Sequence, residues 1–205
     1  MTRDERRVQL EGAAIDVLRE KGLAATTKEI AEQAGVAEGT IFRVFSTKDD
    51  LVQAALIRAF DPAPLVEQLR AIKAEQPLRQ RLIAIVGAQQ QHLTALFGLM
   101  AAVGMVRPPE SLRHHGHEAH GDAQSHVHGA MLALIEPEVD RLRISPHELL
   151  RLLRMLTFAG SHQHIAHGEL LTPTQIVDVL LDGVLKQDTL MTRTTTTART
   201  AATPC

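Results

Sequence analysis

"TTKEIAEQAGVAEGTIFRVFSTKDDL", residues 26–51, decides how the rest of the chain is read. Thr26 precedes a helical pattern and Glu29 follows three residues on, the arrangement in which each side chain satisfies the other's free backbone N–H. Gly35 then stops this short helix, because glycine adopts the left-handed conformation a tight turn needs. A second short helix is expected from about Ala37 to Val44, and Ser46 or Thr47 caps another, whose first turn carries Asp49 and Asp50. Ala31, four residues before Gly35, is small enough to let two helices cross closely, and Val36 and Ile41 supply apolar wedges between them. This is the spacing of a helix-turn-helix, a device that aims its second helix at the DNA major groove.

Upstream, Val8, Ala14, Ile15 and Leu18 recur at helical intervals between Asp4 and Lys21, and Gly22 closes a supporting first helix. Downstream, "DPAP" at 61–64 ends the fourth helix, since proline removes a backbone donor and clashes with the preceding turn. Leu65 to Glu75 reads as a fifth helix and Leu78 to about Met105 as a long one, apolar round most of its circumference and therefore central. Val127 to Leu142 reads as a helix with a kink at Pro137. "SPHE" (145–148) and "TPTQ" (172–175) are start signals for two Leu-rich helices. The Thr-rich segment 189–205 has lost apolar periodicity and reads as a disordered tail.

Composition agrees with packed helices. The 205 residues are 44% apolar with no Trp, no Tyr and five Phe, and no stretch carries a strand signal. The expected fold is all-α: a three-helix helix-turn-helix domain over 1–47 and a larger helical domain over 48–188. Formal charge is −2, and in residues 1–50 acids slightly outnumber bases. Contact with nucleic acid therefore has to rest on where cations sit rather than on a basic field. The lone Cys205 forms no metal pair and no disulfide framework, which suits a reducing cytoplasm, and no apolar run is long enough for a membrane span.

The I-A-x-x-A-G-V helix, the G-T-I-F-x-x-F helix and the following K-x-x-L resemble the TetR family of bacterial transcription regulators. The resemblance covers about the first quarter of the chain. It implies a cytoplasmic homodimer that binds a roughly palindromic double-stranded operator and represses transcription until a small molecule binds. An efflux or metabolic gene would be the typical target. Carried over by position, Thr27, Lys28, Glu38, Gly39, Thr40, Phe42, Arg43 and Lys48 are the candidate DNA contacts. Arg43 suits a bidentate contact to guanine, whereas Phe42, where a tyrosine is frequent, has no hydroxyl to give a phosphate. The resemblance also implies that helices of about 146–167 and 173–186 pair with those of a second subunit.

For the effector, Phe97, Met100 and Met105 on the long helix and Phe158 and His162 on a later one are candidate pocket residues, suited to an apolar or amphipathic molecule. Each also has a plain role in core packing. "RHHGHEAHGDAQSHVHG" (113–129) holds six of the eleven histidines. His114, His117 and His120 would share a face if helical, which leaves a metal- or pH-responsive regulator as an alternative. Gly116 and Gly121 speak for a solvated connector instead. A metal-dependent hydrolase has the least behind it: no nucleophile elbow, no phosphate loop and no H-E-x-x-H spacing. No metal site and no cofactor are therefore expected.

Overall fold

The computed structural model describes residues 1–106 and 119–184, with the backbone alone described for 119–124, 183 and 184. Among the described residues there are nine α-helices and no extended strand: α1 (Arg3–Lys21), α2 (Thr27–Gln33), α3 (Glu38–Ile41), α4 (Lys48–Ala59), α5 (Ala63–Arg70), α6 (Leu78–Ala102), α7 (Ala119–Ala133), α8 (Pro146–Ser161) and α9 (Pro173–Val184). Local chemistry sets most of their starts. Thr26 and Glu29 form the reciprocal cap of α2, and Thr47 and Asp50 do the same for α4. Ser145 accepts from the Glu148 N–H with Pro146 at the first position of α8, and Thr172 and Gln175 cap α9.

Two apolar clusters form the interior. The first joins Leu10, Ala14 and Leu18 of α1, Ile30 and Ala31 of α2, Ile41 of α3 and Leu51 and Ala55 of α4. By packing, α4 thus goes with the N-terminal body, although the boundary read at 47 assigns it to the second domain. The second cluster gathers residues of α5 to α9, among them Leu69, Leu82, Ile85, Met131, Leu150, Leu153, Val177 and Leu181. α6 belongs to both. Leu82, Ile85 and Val86 of its first half lie in the second cluster, while Leu99 near its end is wholly buried in the first. At 25 residues it is a rod of about 37 Å through both bodies.

The joint at the end of that rod is made of backbone. Gly22 caps α1 at φ 58° and ψ −144°, and a Cβ there would stand 2.2 Å from the Ala102 carbonyl oxygen. Only glycine permits that approach. α6 then ends in a Schellman motif: Gly104 is left-handed at φ 65°, its N–H bonds to the Ala101 carbonyl, and the Met105 N–H bonds to the Met100 carbonyl.

Several expectations change. Regular helix in α3 stops at Ile41 and continues as turns, as glycine, Thr40, Ile41 and Val44 are poor helix formers. The helix read over 127–142 is instead α7, starting at Ala119, followed by a short 3-10 segment (Glu136–Arg141) that begins beside Pro137. Gly121 lies within α7, because one glycine costs a helix only about 1 kcal/mol. Gly160 of α8 is buried under Leu171 of its own chain, whose Cβ would sit 3.0 Å from an added methyl. The segment read as a tail, 189–205, lies outside the described residues.

Candidate functional site

The turn between α2 and α3 is built by hydrogen bonds that the sequence pattern implies. Gly35 is left-handed at φ 66°, its N–H bonds to the Glu32 carbonyl, and the Val36 N–H bonds to the Ala31 carbonyl at 2.9 Å. Ala31 and Ile41 are buried beneath it, and Gln9 of α1 donates from Nε2 to the Ala34 carbonyl at 2.8 Å, tying the supporting helix to the turn. The result is a fixed corner from which α3 projects.

The eight candidate DNA contacts fall into three groups. Lys28, Gly39, Phe42 and Arg43 are exposed, and an added methyl at Gly39 would meet nothing within 4 Å, so that glycine is not required by the fold. Thr27 and Glu38 are joined: the threonine hydroxyl donates to the Glu38 carboxylate at 2.5 Å, linking α2 to α3. Thr40 and Lys48 are half-buried, and Lys48 donates from Nζ to the Leu23 carbonyl at 3.1 Å, so part of its task is to hold the corner after α1. Phe42 is 51% exposed, an unusual position for a large apolar ring in a well-packed domain.

Several acids of this domain are engaged internally. Glu11 faces Arg7 at 2.9 Å and Arg58 at 3.8 Å, bracing α1 against α4. Glu29 takes a hydrogen bond from Lys21 at 2.5 Å. That bond foremost, and then the Thr26 backbone and hydroxyl, draw its carboxyl down to about 2. Glu5 and Asp50 serve helix caps. Lys28 and Arg43, by contrast, make no ion pair among the described residues. Glu11, Glu29, Glu38 and Asp50 are thus engaged within the domain, while Lys28 and Arg43 are exposed on the helix-turn-helix.

Of the candidate pocket residues, the structure brings three together. Phe97 of α6 meets Phe158 of α8 edge-on at 5.3 Å between ring centres and His162 at 4.7 Å. The His162 Nδ1 is buried with no hydrogen-bond partner among the described residues. Met100 is half-buried on the same helix. Met105 is elsewhere: as the residue closing the α6 cap it packs on the N-terminal cluster, away from the aromatic group. Phe158 also forms one wall of a cleft of about 710 Å³ between α6, α7 and α8. Sequence reasoning missed that cleft. Its signal was the polar "QQQ" at 89–91, interrupting an otherwise apolar central helix.

Most of the histidine-rich stretch, including His114 and His117, lies outside the described residues, as does the side chain of His120. Among the described residues, no group of three His, Cys, Asp or Glu side chains is placed to hold a metal ion. His126 is exposed, and the His128 ring stands 5.4 Å from that of His147 on α8. No described helix is long and apolar enough to cross a membrane.

A helix-turn-helix on a three-helix base, carried by a second helical body, defines a class of DNA-binding regulators. Residues 12–55 match the family of bacterial regulatory proteins called tetR. The chain is 58% identical over 45 residues to the HTH-type transcriptional regulator YvkB of Bacillus subtilis, and 42% identical over 90 residues to the HTH-type transcriptional activator FasR of Mycolicibacterium smegmatis. Those matches cover 22% and 43% of this chain but only 24% and 40% of the relatives. In structure it resembles the TetR transcriptional regulator SCO0520 of Streptomyces coelicolor (TM-score 0.56, 25% identity, 88% of this chain and 99% of that one). It also shares a fold with NalD of Pseudomonas aeruginosa (TM-score 0.53, 21% identity, 90% and 99%). Residues 12–55 thus carry the tetR-family domain, and the chain as a whole resembles TetR-family regulators in fold.

Proposed function

We propose that the protein is a dimeric transcriptional repressor that binds a roughly palindromic operator and is released from it by a small apolar or amphipathic effector. The observation that carries DNA binding is the pair of exposed cations, Lys28 and Arg43, which make no ion pair among the described residues and stand on the helix-turn-helix corner. Arg43 supplies base reading in the major groove, Lys28 and the helix starts supply phosphate contacts, and Gly39 lets the backbone come close. Repression is the direction the family resemblance implies, and efflux or metabolic genes are its usual targets. Relatives differ in sign, FasR being named an activator and NalD a repressor of a multidrug efflux pump.

Dimerisation is supported by the outward faces of α8 and α9. Leu152 and Leu156 pack against the second cluster yet stay only half-buried in the isolated chain, and Val179 is 69% exposed. A mate seated there would place two α3 corners towards successive major grooves.

The test is selection of DNA fragments from a random pool, followed by fluorescence anisotropy with the best fragment. Arg43→Ala is expected to weaken binding by roughly 10-fold or more, the scale of one bidentate base contact, with unchanged circular dichroism. Equal affinity in the variant would sink the assignment of Arg43 to the groove. Sedimentation as a monomer at micromolar concentration would sink the dimer.

A further inference from the structure

The cleft between α6, α7 and α8 carries a chemistry that a plain apolar pocket does not. Gln89 lines it at 8% exposure, and its Oε1 has no hydrogen-bond partner among the described residues. A buried acceptor in that state costs stability unless a donor reaches it. Around it stand His128, His147, Arg151 and Arg154, and no carboxylate among the described residues lines the cleft. Arg151 is engaged, held in a two-bond fork by Glu148 at 2.6 and 2.8 Å. Arg154 is exposed and makes no ion pair among the described residues. In a chain of net charge −2, this is a local concentration of positive and proton-accepting groups.

Polar and apolar lining residues are also separated along the cleft. α6 runs opposite to α9, because Arg79 pairs with Asp178 while Gln90 donates to the Leu171 carbonyl. α9 in turn folds back on α8 through Leu171 and Gly160, so α6 and α8 run in the same sense. Phe97 is level with Phe158, which puts Gln89 about 12 Å away, level with Leu150 and Arg151. Gln89, His147 and Arg151 therefore gather at one end, beside Leu150, Arg154 stands midway at the level of Leu93, and Met155 and Phe158 line the other.

We propose that this cleft binds an amphipathic hydroxy acid. The apolar chain lies over Met155 and Phe158, the carboxylate meets Arg154 in the middle of the cleft, and a hydroxyl near the carboxylate donates to Gln89 Oε1. The proposal rests on the effector-released reading above and specifies its ligand. The α8 stripe that lines the cleft (His147, Arg151, Arg154, Phe158) lies about 145° round the helix from Leu152 and Leu156, so ligand and mate use different faces.

Isothermal titration calorimetry with β-hydroxydecanoate, decanoate and decanol tests it. The hydroxy acid is expected to bind tightest, with decanoate several-fold weaker and decanol roughly 10-fold weaker or more, a charge-assisted contact being the stronger of the two lost. Arg154→Gln, at an exposed position, should cost the hydroxy acid roughly 10-fold, and Gln89→Leu should abolish its advantage over decanoate. Equal binding of decanol and the hydroxy acid would overturn the proposal. So would unchanged affinity in Arg154→Gln, an advantage over decanoate that survives Gln89→Leu, or no saturable binding of the hydroxy acid at all. Anisotropy on the same preparations with the selected operator separates the two readings. Operator binding without hydroxy-acid binding defeats only the ligand assignment, and the reverse defeats only the regulator.

Discussion

The N-terminal body and the helical body beyond it treat their large buried polar side chains in opposite ways. In the first, Glu11 is the buried charged side chain, and it is met by Arg7 and Arg58. In the second, Arg81 is 1% exposed yet only its Nη2 is engaged, by Glu138 at 2.6 Å, while Nε and Nη1 have no partner among the described residues. Gln89 and His162 carry the other unmet atoms. A domain that must offer one fixed surface to DNA is internally complete. The body expected to recognise a small molecule keeps hydrogen-bonding capacity in reserve, at a cost in stability.

The largest effect is expected where the two bodies touch. Gly22→Ala would force a methyl onto the Ala102 carbonyl from a backbone conformation that suits glycine, and should destabilise the protein by about 3 kcal/mol. The midpoint of urea unfolding reads this, and an unchanged midpoint would show that the bodies are not seated on each other there. Arg81→Met is expected to act in the other direction, leaving stability unchanged or raising it by about 1 kcal/mol. Glu138 would not be stranded, since Arg141 holds it at 2.8 Å and is foremost in keeping its carboxyl below the usual range. A loss of more than about 2 kcal/mol would break the contrast, because breaking a satisfied buried ion pair is what costs that much.

The smallest effect concerns pH. Burial holds the His92 imidazole below its ordinary 6.5, with Asp61 opposing. The unfolded chain then takes up the proton more readily, so stability is present at neutral pH and lost as pH falls through 6.5. Glu29 in the first body has its carboxyl lowered from 4.5 to about 2, so its contribution is lost only across that more acidic window. Between pH 7.5 and 5.5, His92→Gln should flatten the fall in unfolding midpoint, whereas Glu29→Gln should leave that slope unchanged (both values being about one unit either side of the ordinary imidazole range). An unchanged slope in His92→Gln would remove the imidazole from the account.

The same contrast explains what could be read from residues alone. Caps and turns are local, so Thr26 with Glu29, Gly35, Thr47, Ser145 and Thr172 announce their helices within four residues of sequence. The recognition corner is made almost wholly of such signals. The cleft is not, because which faces of α6 and α8 oppose each other depends on the crossing of helices far apart in the chain. Met105 illustrates the limit: its place at the end of an apolar helix suggests a pocket wall, but the left-handed Gly104 turns it back onto the first body. Lys48 is legible as a cation at a helix start, while its bond to the Leu23 carbonyl is a tertiary fact.

The contact between Gly22 and Ala102 has a mechanical meaning. Side chains absorb small displacements by changing rotamer, and a joint made of them has play. Here main chain bears on main chain, one end of α1 against one end of α6, with no torsion in between to take up a shift. A movement of the α6 rod along its axis would press first on the residue that leads from α1 into α2, at the base of the helix-turn-helix.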